Sequence, residues 1–372
     1  MKYFISGVVL FLLSFSACAA SGCGYSWSLW ENFAKFYIQS DGRVIDHDAN
    51  GISTSEGQSY ALFFSLVAND RERFDKILGW TSNNLAKGDM INYLPAWKWG
   101  KADDGVWEAL DPNPASDADL WVAYALLNAA VYWRHKPYHE LGAAMLRNIA
   151  RREVVDMPGL GSMLLPASYG FTIDAETWRL NPSYLPVQLL RYFATIEKCA
   201  KCGPGPWKDL IENTGKMITA ISAKGVVPDW MLYGVKKGFH LANDDKAEIS
   251  SYDAIRVYLW WAMLNPQDPM FAVLRPYVTG IPHFMPENAH LPERISVVTG
   301  EAEGVAPPGF KGALAPYRFV LYQQKPDDLP VLAKEVGYYN NVLNLFGYGW
   351  LDRRFQFNPD GSLSMESHKC SK

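Results

Sequence analysis

From Asp117 to Trp133 the chain reads DADLWVAYALLNAAVYW, a helical length of sequence that is apolar nearly all round. A helix with no wet face must be buried on every side. The next segment, 137–154, is different: Tyr138, Leu141, Met145 and Ile149 share one face, while Arg147, Arg151 and Arg152 lie elsewhere. That pattern predicts a half-exposed helix. The same contrast separates 251–264, which carries Tyr258, Leu259, Trp260 and Trp261, from its polar neighbours. Buried and half-exposed helices in alternation, joined by short turns, predict an all-α domain of two concentric rings.

Periodicity places helices at 28–38, 56–68, 71–86, 117–133, 137–154, 183–197, 206–222, 251–264, 269–278, 312–323, 329–336 and 339–346, about six hairpins in all. Strand signal predicts small β-hairpin insertions at 162–174 and 230–241. A third, 355–363, turns at Pro359, Asp360 and Gly361. No repeat or low-complexity stretch divides the chain, which predicts one domain over 21–372.

Residues 1–20 read as a secretory signal peptide. Lys2 precedes an apolar run from Phe4 to Phe15, and small residues from Ser16 to Ala20 follow. The run is shorter than the roughly 17–25 residues a membrane span needs. The expected location is therefore periplasmic or secreted, with a lipidated Cys18 as the alternative start. Beyond it stand Cys23, Cys199, Cys202 and Cys370, an even number in an oxidising compartment. Cys23 and Cys370 near the two ends predict a terminal bridge, and Cys199 with Cys202 a local one. No His cluster accompanies them, so no metal or other cofactor is expected. A net charge of −4 argues against nucleic acid as a partner. The chain holds 14 Trp and 20 Tyr, and flat aromatic faces are what sugar rings pack on.

Three polar clusters stand where apolar helices begin: TSEGQSY from Thr54, ASDADLW from Ala115 and SSYDAIR from Ser250. Each opens an even-numbered helix. If successive helices alternate in direction, those openings share one end of the barrel, and Glu56, Asp117 and Asp253 converge on one mouth. Acidic residues at helix starts ordinarily cap backbone N–H groups and oppose the macrodipole. Capping explains any one of them alone, Asp119 included. Three at one end of buried helices point instead to chemistry. Glycosidic cleavage needs one carboxyl protonated, to push the leaving oxygen, and one ionised, to take a proton from water. The helix N-terminus favours a carboxylate, so burial and the charge of Asp117 must outweigh the dipole for Glu56 to keep a proton.

These clusters, with LPAWKWG from Leu94 and SYLP from Ser183, resemble glycoside hydrolase family 8. Within that family they are most similar to the periplasmic endoglucanases that accompany bacterial cellulose synthase. The similarity runs from Trp30 to Trp350, and ASDADLWVAYALLNAAVYW follows the family signature except at Val122. The resemblance implies an inverting endo-β-1,4-glucanase on an (α/α)6 barrel, acting in cellulose biosynthesis. By motif position Glu56 would be the proton donor and Asp253 the base that activates water. Asp117 would grip the distorted sugar and help to place the water. Tyr184 would hydrogen-bond that water, and Arg256 would orient Asp253 one turn back. Trp97, Trp107, Trp121 and Trp230 are the candidates for sugar stacking, Trp97 foremost because Pro95 and Gly100 put it in a loop. The expected partners are a β-1,4-glucan chain and, as a candidate, a cellulose synthase complex.

Xylanases and chitosanases of the same fold keep the barrel and acid but change the subsites. A lyase on a similar barrel would use Tyr and His, and no His stands beside the clusters. A non-catalytic glucan-binding protein would keep the Trp residues without converging carboxylates.

Overall fold

The computed structural model describes residues 27–196, 205–222, 224–242, 248–284, 290–326 and 336–366. The proposed signal peptide and all of Cys23, Cys199, Cys202 and Cys370 lie outside them, as does the helix expected at 329–336 apart from Val336. Among the described residues there are eleven α-helices. They are α1 (Ser28–Tyr37), α2 (Ser55–Val67), α3 (Arg71–Leu85), α4 (Ser116–Tyr132), α5 (Lys136–Arg152), α6 (Val187–Ile196), α7 (Trp207–Ile221), α8 (Ile255–Met263), α9 (Pro269–Val278), α10 (Pro308–Tyr322) and α11 (Tyr338–Leu351).

The helices form the (α/α)6 barrel. Helices α2, α4, α6, α8, α10 and α11 neighbour one another in that order. The ring closes where Phe346 of α11 meets Tyr60, Phe63 and Phe64 of α2. Every residue of α8 is buried, as is every residue of α2 except Glu56 and every residue of α4 before Ala130, as their largely apolar sequence requires. Helices α3, α5, α7 and α9 lie outside and bury one face each. Where α10 crosses α11 the backbones touch: a Cβ on Gly347 would stand 1.8 Å from the Gly312 carbonyl oxygen, so only glycine fits.

The barrel centre is aromatic. Trp121 packs against Phe63 at 4.9 Å, Phe346 at 5.1 Å, Trp260 at 5.3 Å and Tyr60 at 5.9 Å between ring centroids. Such pairs contribute about 0.5–1.5 kcal/mol each beyond the area they bury. Trp121 has no exposed surface, so it belongs to the core and cannot present a face to a sugar. That corrects the expectation for this residue: ring contacts from three inner helices outweigh its place beside the acidic cluster.

Small antiparallel sheets decorate the ends. Strands β1 (Ser53–Thr54), β2 (Lys98–Lys101) and β3 (Trp107–Asp111) form one sheet. Strands β4 (Val154–Met157) and β5 (Gly161–Leu164) form a hairpin, and β6 (Thr172–Asp174), β7 (Thr177–Leu180), β8 (Met231–Gly234) and β9 (Gly238–His240) a second sheet. Strands β10 (Ile249–Ser250), β11 (Arg294–Ser296) and β12 (Ala302–Glu303) make a third sheet, and β13 (Phe355–Phe357) with β14 (Leu363–Met365) the last hairpin. The hairpins expected at 230–241 and 355–363 are present. Gly361 turns at φ +78° with the Gln188 carbonyl oxygen 2.1 Å from where a Cβ would sit.

The hairpin expected at 162–174 is instead one strand from each of two pairings, β5 with β4 and β6 with β7. Pro166 has no N–H to continue a ladder, and its carbonyl accepts the Ser116 N–H at 3.0 Å, tying this loop to the start of α4. The helix expected over 183–197 is also broken. Pro182–Tyr184 form a 3₁₀ turn, and Pro186 forces Leu185 to φ −119°, so α6 begins only at Val187. Both breaks put irregular backbone at the end where the inner helices start.

Candidate active site

The N-terminal ends of the inner helices meet around one side chain, Arg256 in the first turn of α8. Its Nη1 donates to Glu56 Oε2 at 2.6 Å, to Asp117 Oδ2 at 3.1 Å and to the Tyr60 hydroxyl at 3.3 Å. Its Nη2 donates to Asp253 Oδ1 at 2.7 Å and to Ser183 Oγ at 3.1 Å. The three carboxylates that the sequence places at one mouth are thus brought onto a single guanidinium. Arg256 does orient Asp253, but it equally binds Glu56 and Asp117. A planar fork of fixed donors suits that task, which a lysine point charge could not perform.

None of the three carboxylates caps its helix. Helix α2 is capped by Thr54, whose Oγ1 accepts the Gly57 N–H at 3.0 Å, which leaves Glu56 free to point inward. Helix α4 has no side-chain cap, and the backbone N–H that Asp117 accepts is that of its neighbour Ala118, at 2.8 Å. Asp253 stands ahead of α8, in the turn 251–254 rather than in the helix. Asp119 is no cap either. It is fully buried beside Glu153, and burial first, then the neighbouring carboxylates, push both groups well above the carboxylate range. One proton shared between them satisfies the pair.

One guanidinium cannot neutralise three carboxylates in a buried pocket, so one of them should hold a proton. Glu56 is pushed up to about 7, by burial first and then by the charges of Asp117 and Asp253, against the pull of Arg256. Burial also raises Asp117, again against Arg256. The balance at Glu56 falls as glycosidic acid catalysis needs, with desolvation outweighing both the helix dipole and the cation. Arg256 and Asp117 are almost sealed, whereas the side chains of Glu56 and Asp253 keep 25% and 27% of their surface open to an incoming molecule.

Tyr184, at the end of the 3₁₀ turn, is half-buried with its ring centroid 5.6 Å from the Arg256 guanidinium carbon. Burial, then Asp117, keep its hydroxyl protonated far beyond the usual tyrosine range. Trp230 reaches the same place: its Nε1 donates to Asp253 Oδ2 at 3.0 Å, and its ring lies parallel to Phe171 at 5.8 Å. Trp97 is bonded through its carbonyl to the Ser55 N–H at 3.0 Å, which sets it beside the start of α2 and Glu56. Trp107 is 47% exposed on β3, two strands from the start of α2, stacked on Trp99 at 5.1 Å. The Arg43 guanidinium carbon lies 4.5 Å from the Trp99 ring centroid and 4.7 Å from that of Trp107. Trp107 is thus exposed and Trp97 and Trp230 are half-buried, whereas Trp121 is sealed.

Sequence reasoning missed Ser183 and Tyr60 as partners of Arg256, and missed Asp229. Asp229 Oδ1 accepts the N–H groups of Ser251 and Ala254, each at 2.8 Å, and its carboxyl is pushed up to about 7 by burial and then by Asp253. The one available signal was an acidic residue directly before Trp230, outside any helix. Among the described residues no group of three His, Cys, Asp or Glu side chains is arranged to hold a metal ion. Nor is any described helix long and apolar enough to cross a membrane.

The family model for glycosyl hydrolases family 8 matches residues 1–353. An endoglucanase of Escherichia coli is 44% identical over 370 residues, covering 98% of this chain and 97% of that protein. An endoglucanase of Xanthomonas axonopodis pv. citri is 41% identical, covering 96% of this chain and 94% of that protein. Among solved structures, the endo-1,4-D-glucanase of Vibrio fischeri is similar with a TM-score of 0.82 at 38% identity, over 92% of this chain and 99% of that one.

Proposed function

The chain belongs to glycosyl hydrolase family 8 and is an endoglucanase of that family, and from that premise we propose that it cleaves internal β-1,4 linkages of a cellulose-like glucan with inversion. The observation that carries this reading is the sharing of Arg256 by three carboxylates, of which Glu56, partly open to substrate, is poised near neutral pH. Glu56 donates its proton to the glycosidic oxygen as the C–O bond breaks. Asp253 takes a proton from a water that attacks the anomeric carbon from the opposite face, so the proton given up by Glu56 is balanced by the one Asp253 gains. Asp117, sealed beneath them, fixes the Arg256 guanidinium and so the placing of Glu56 and Asp253 around the cleavage subsite, and the protonated Tyr184 hydroxyl is the donor for the attacking water. Trp97 and Trp107 carry adjoining sugar rings, and Trp230 lies at the same opening.

The relatives' names support a glucan substrate. Reducing ends released from carboxymethylcellulose, xylan and chitosan in parallel test it: release from carboxymethylcellulose should dominate, and preference for xylan or chitosan would reassign the substrate. The N-terminal pattern supports export to the periplasm, and the similarity of the motifs to endoglucanases that accompany cellulose synthase supports a role in cellulose production. Deletion in a cellulose-producing host would then alter the amount or length of the polymer made. Unchanged polymer would separate the enzyme from that process.

A further inference from the structure

The turn 251–254 carries the proposed base just ahead of α8, and its carbonyls are tied to that helix, Ser251 accepting the Ile255 N–H at 2.9 Å and Asp253 the Arg256 N–H at 3.1 Å. Its N–H groups and the Asp253 carboxylate are held by two adjacent residues of the α7–α8 connection. Asp229 is anchored by its own N–H to the Ile249 carbonyl at 2.7 Å. Its Oδ1 then accepts from Ser251 at one end of the turn and from Ala254 at the other, both at 2.8 Å. Trp230, the next residue, holds the Asp253 carboxylate itself through Nε1 at 3.0 Å. The other side of the turn is braced separately, by Ser251 Oγ donating to the Glu293 carbonyl at 2.9 Å and the Tyr339 hydroxyl donating to the Tyr252 carbonyl at 2.6 Å.

We propose that Asp229 is a positioning residue for the reaction: by pinning both ends of the turn through one oxygen, it fixes where the Asp253 carboxylate stands relative to Arg256 and the sugar. The inference rests on the reading of Asp253 as base. Two bonds to a single atom make a pivot, and a pivot under a reacting group sets its position to within a fraction of an ångström. A misplacement of about 1 Å can cost on the order of 10²-fold in rate. The side chain does this at a cost, because it brings a second carboxyl beside Asp253 in a largely buried place. Unfavourable placement of this kind is tolerated where function requires it.

Because both N–H groups bond Oδ1, an amide oxygen can replace the carboxylate oxygen without losing either contact. Asp229→Ala removes the clamp, Asp229→Glu keeps the charge but displaces it, and Asp229→Asn keeps the clamp without the charge. Steady-state kinetics on carboxymethylcellulose should show kcat falling roughly 10–100-fold in the Ala and Glu variants, with KM within about twofold of wild type; Asn should recover most of the loss. If Ala does not fold, the contrast between Glu and Asn carries the same comparison. Wild-type kcat in the Ala or Glu variant would overturn the inference. So would a loss in Asn equal to that in Glu, or losses that appear in KM alone. Asp253→Asn is assayed alongside: if it retains activity, the assignment of the base fails. If it is inactive while the Asp229 variants are unaffected, only the positioning role fails.

Discussion

Arg256 Nη1 donates to Glu56 Oε2 at 2.6 Å, and still the Glu56 carboxyl is pushed up to about 7. A cation at that distance would ordinarily hold a carboxyl low. Here its charge is divided among Glu56, Asp117 and Asp253, and burial does the rest. The pairing therefore poises Glu56 as an acid instead of locking it as a carboxylate.

Glu56 must enter the reaction protonated, so kcat/KM should fall about tenfold per pH unit above an apparent value near 7. Glu56→Gln keeps the shape and the contact with Arg256 but cannot give up a proton. Its turnover should be lower by roughly 10²–10⁴-fold, and its residual rate should lack the alkaline limb. Rates measured from pH 5 to 9 on both proteins check this.

The same carboxyl makes stability depend on pH. The folded protein holds the Glu56 proton up to about 7, whereas an unfolded glutamate loses it near its ordinary value of 4.5. Stability is thus fully present below the lower value and is lost as pH rises through the window, by an amount on the order of 1–3 kcal/mol. Glu56→Gln does not ionise and escapes that loss. Its Tm relative to wild type should rise by about 2–4 °C between pH 5 and pH 8, measured by calorimetry; a constant difference would mean that Glu56 titrates like an ordinary surface carboxylate.

Trp121 and Trp107 should separate packing from binding. Trp121→Ala leaves a cavity at the barrel centre and should cost about 3–5 kcal/mol of stability, read as a drop in denaturation midpoint. Trp107→Ala, at an exposed rim position, should leave the midpoint nearly unchanged and raise KM severalfold with little change in kcat.

The barrel was legible in the sequence because its two rings have different surfaces: α4 and α8 are apolar all round and α5 is not, so burial could be read from periodicity. The convergence of Glu56, Asp117 and Asp253 followed from counting helices, since alternating directions leave only one end for the even-numbered starts. Trp121 could not be told from Trp107 in this way, because a tryptophan beside an acidic cluster reads the same whether it points to the cleft or to the core. Asp229 and the sharing of Arg256 were hidden for a different reason. Both depend on contacts across tens or hundreds of residues, such as Arg256 with Glu56, and no local pattern records them. Asp119 shows the converse: it looks like a cap, and only the fold brings it to Glu153.

The stereochemistry of the first product tests the central claim most directly, that Glu56 and Asp253 act as acid and base without a covalent intermediate. Proton NMR of fresh hydrolysate, recorded before mutarotation, reports the configuration at the new reducing end. Attack by water from the face opposite the leaving group gives the α-anomer first from a β-linkage, and that is the result expected. An initial β-anomer would mean a glycosyl-enzyme and a retaining mechanism, and would contradict the assignment of Asp253 as the base.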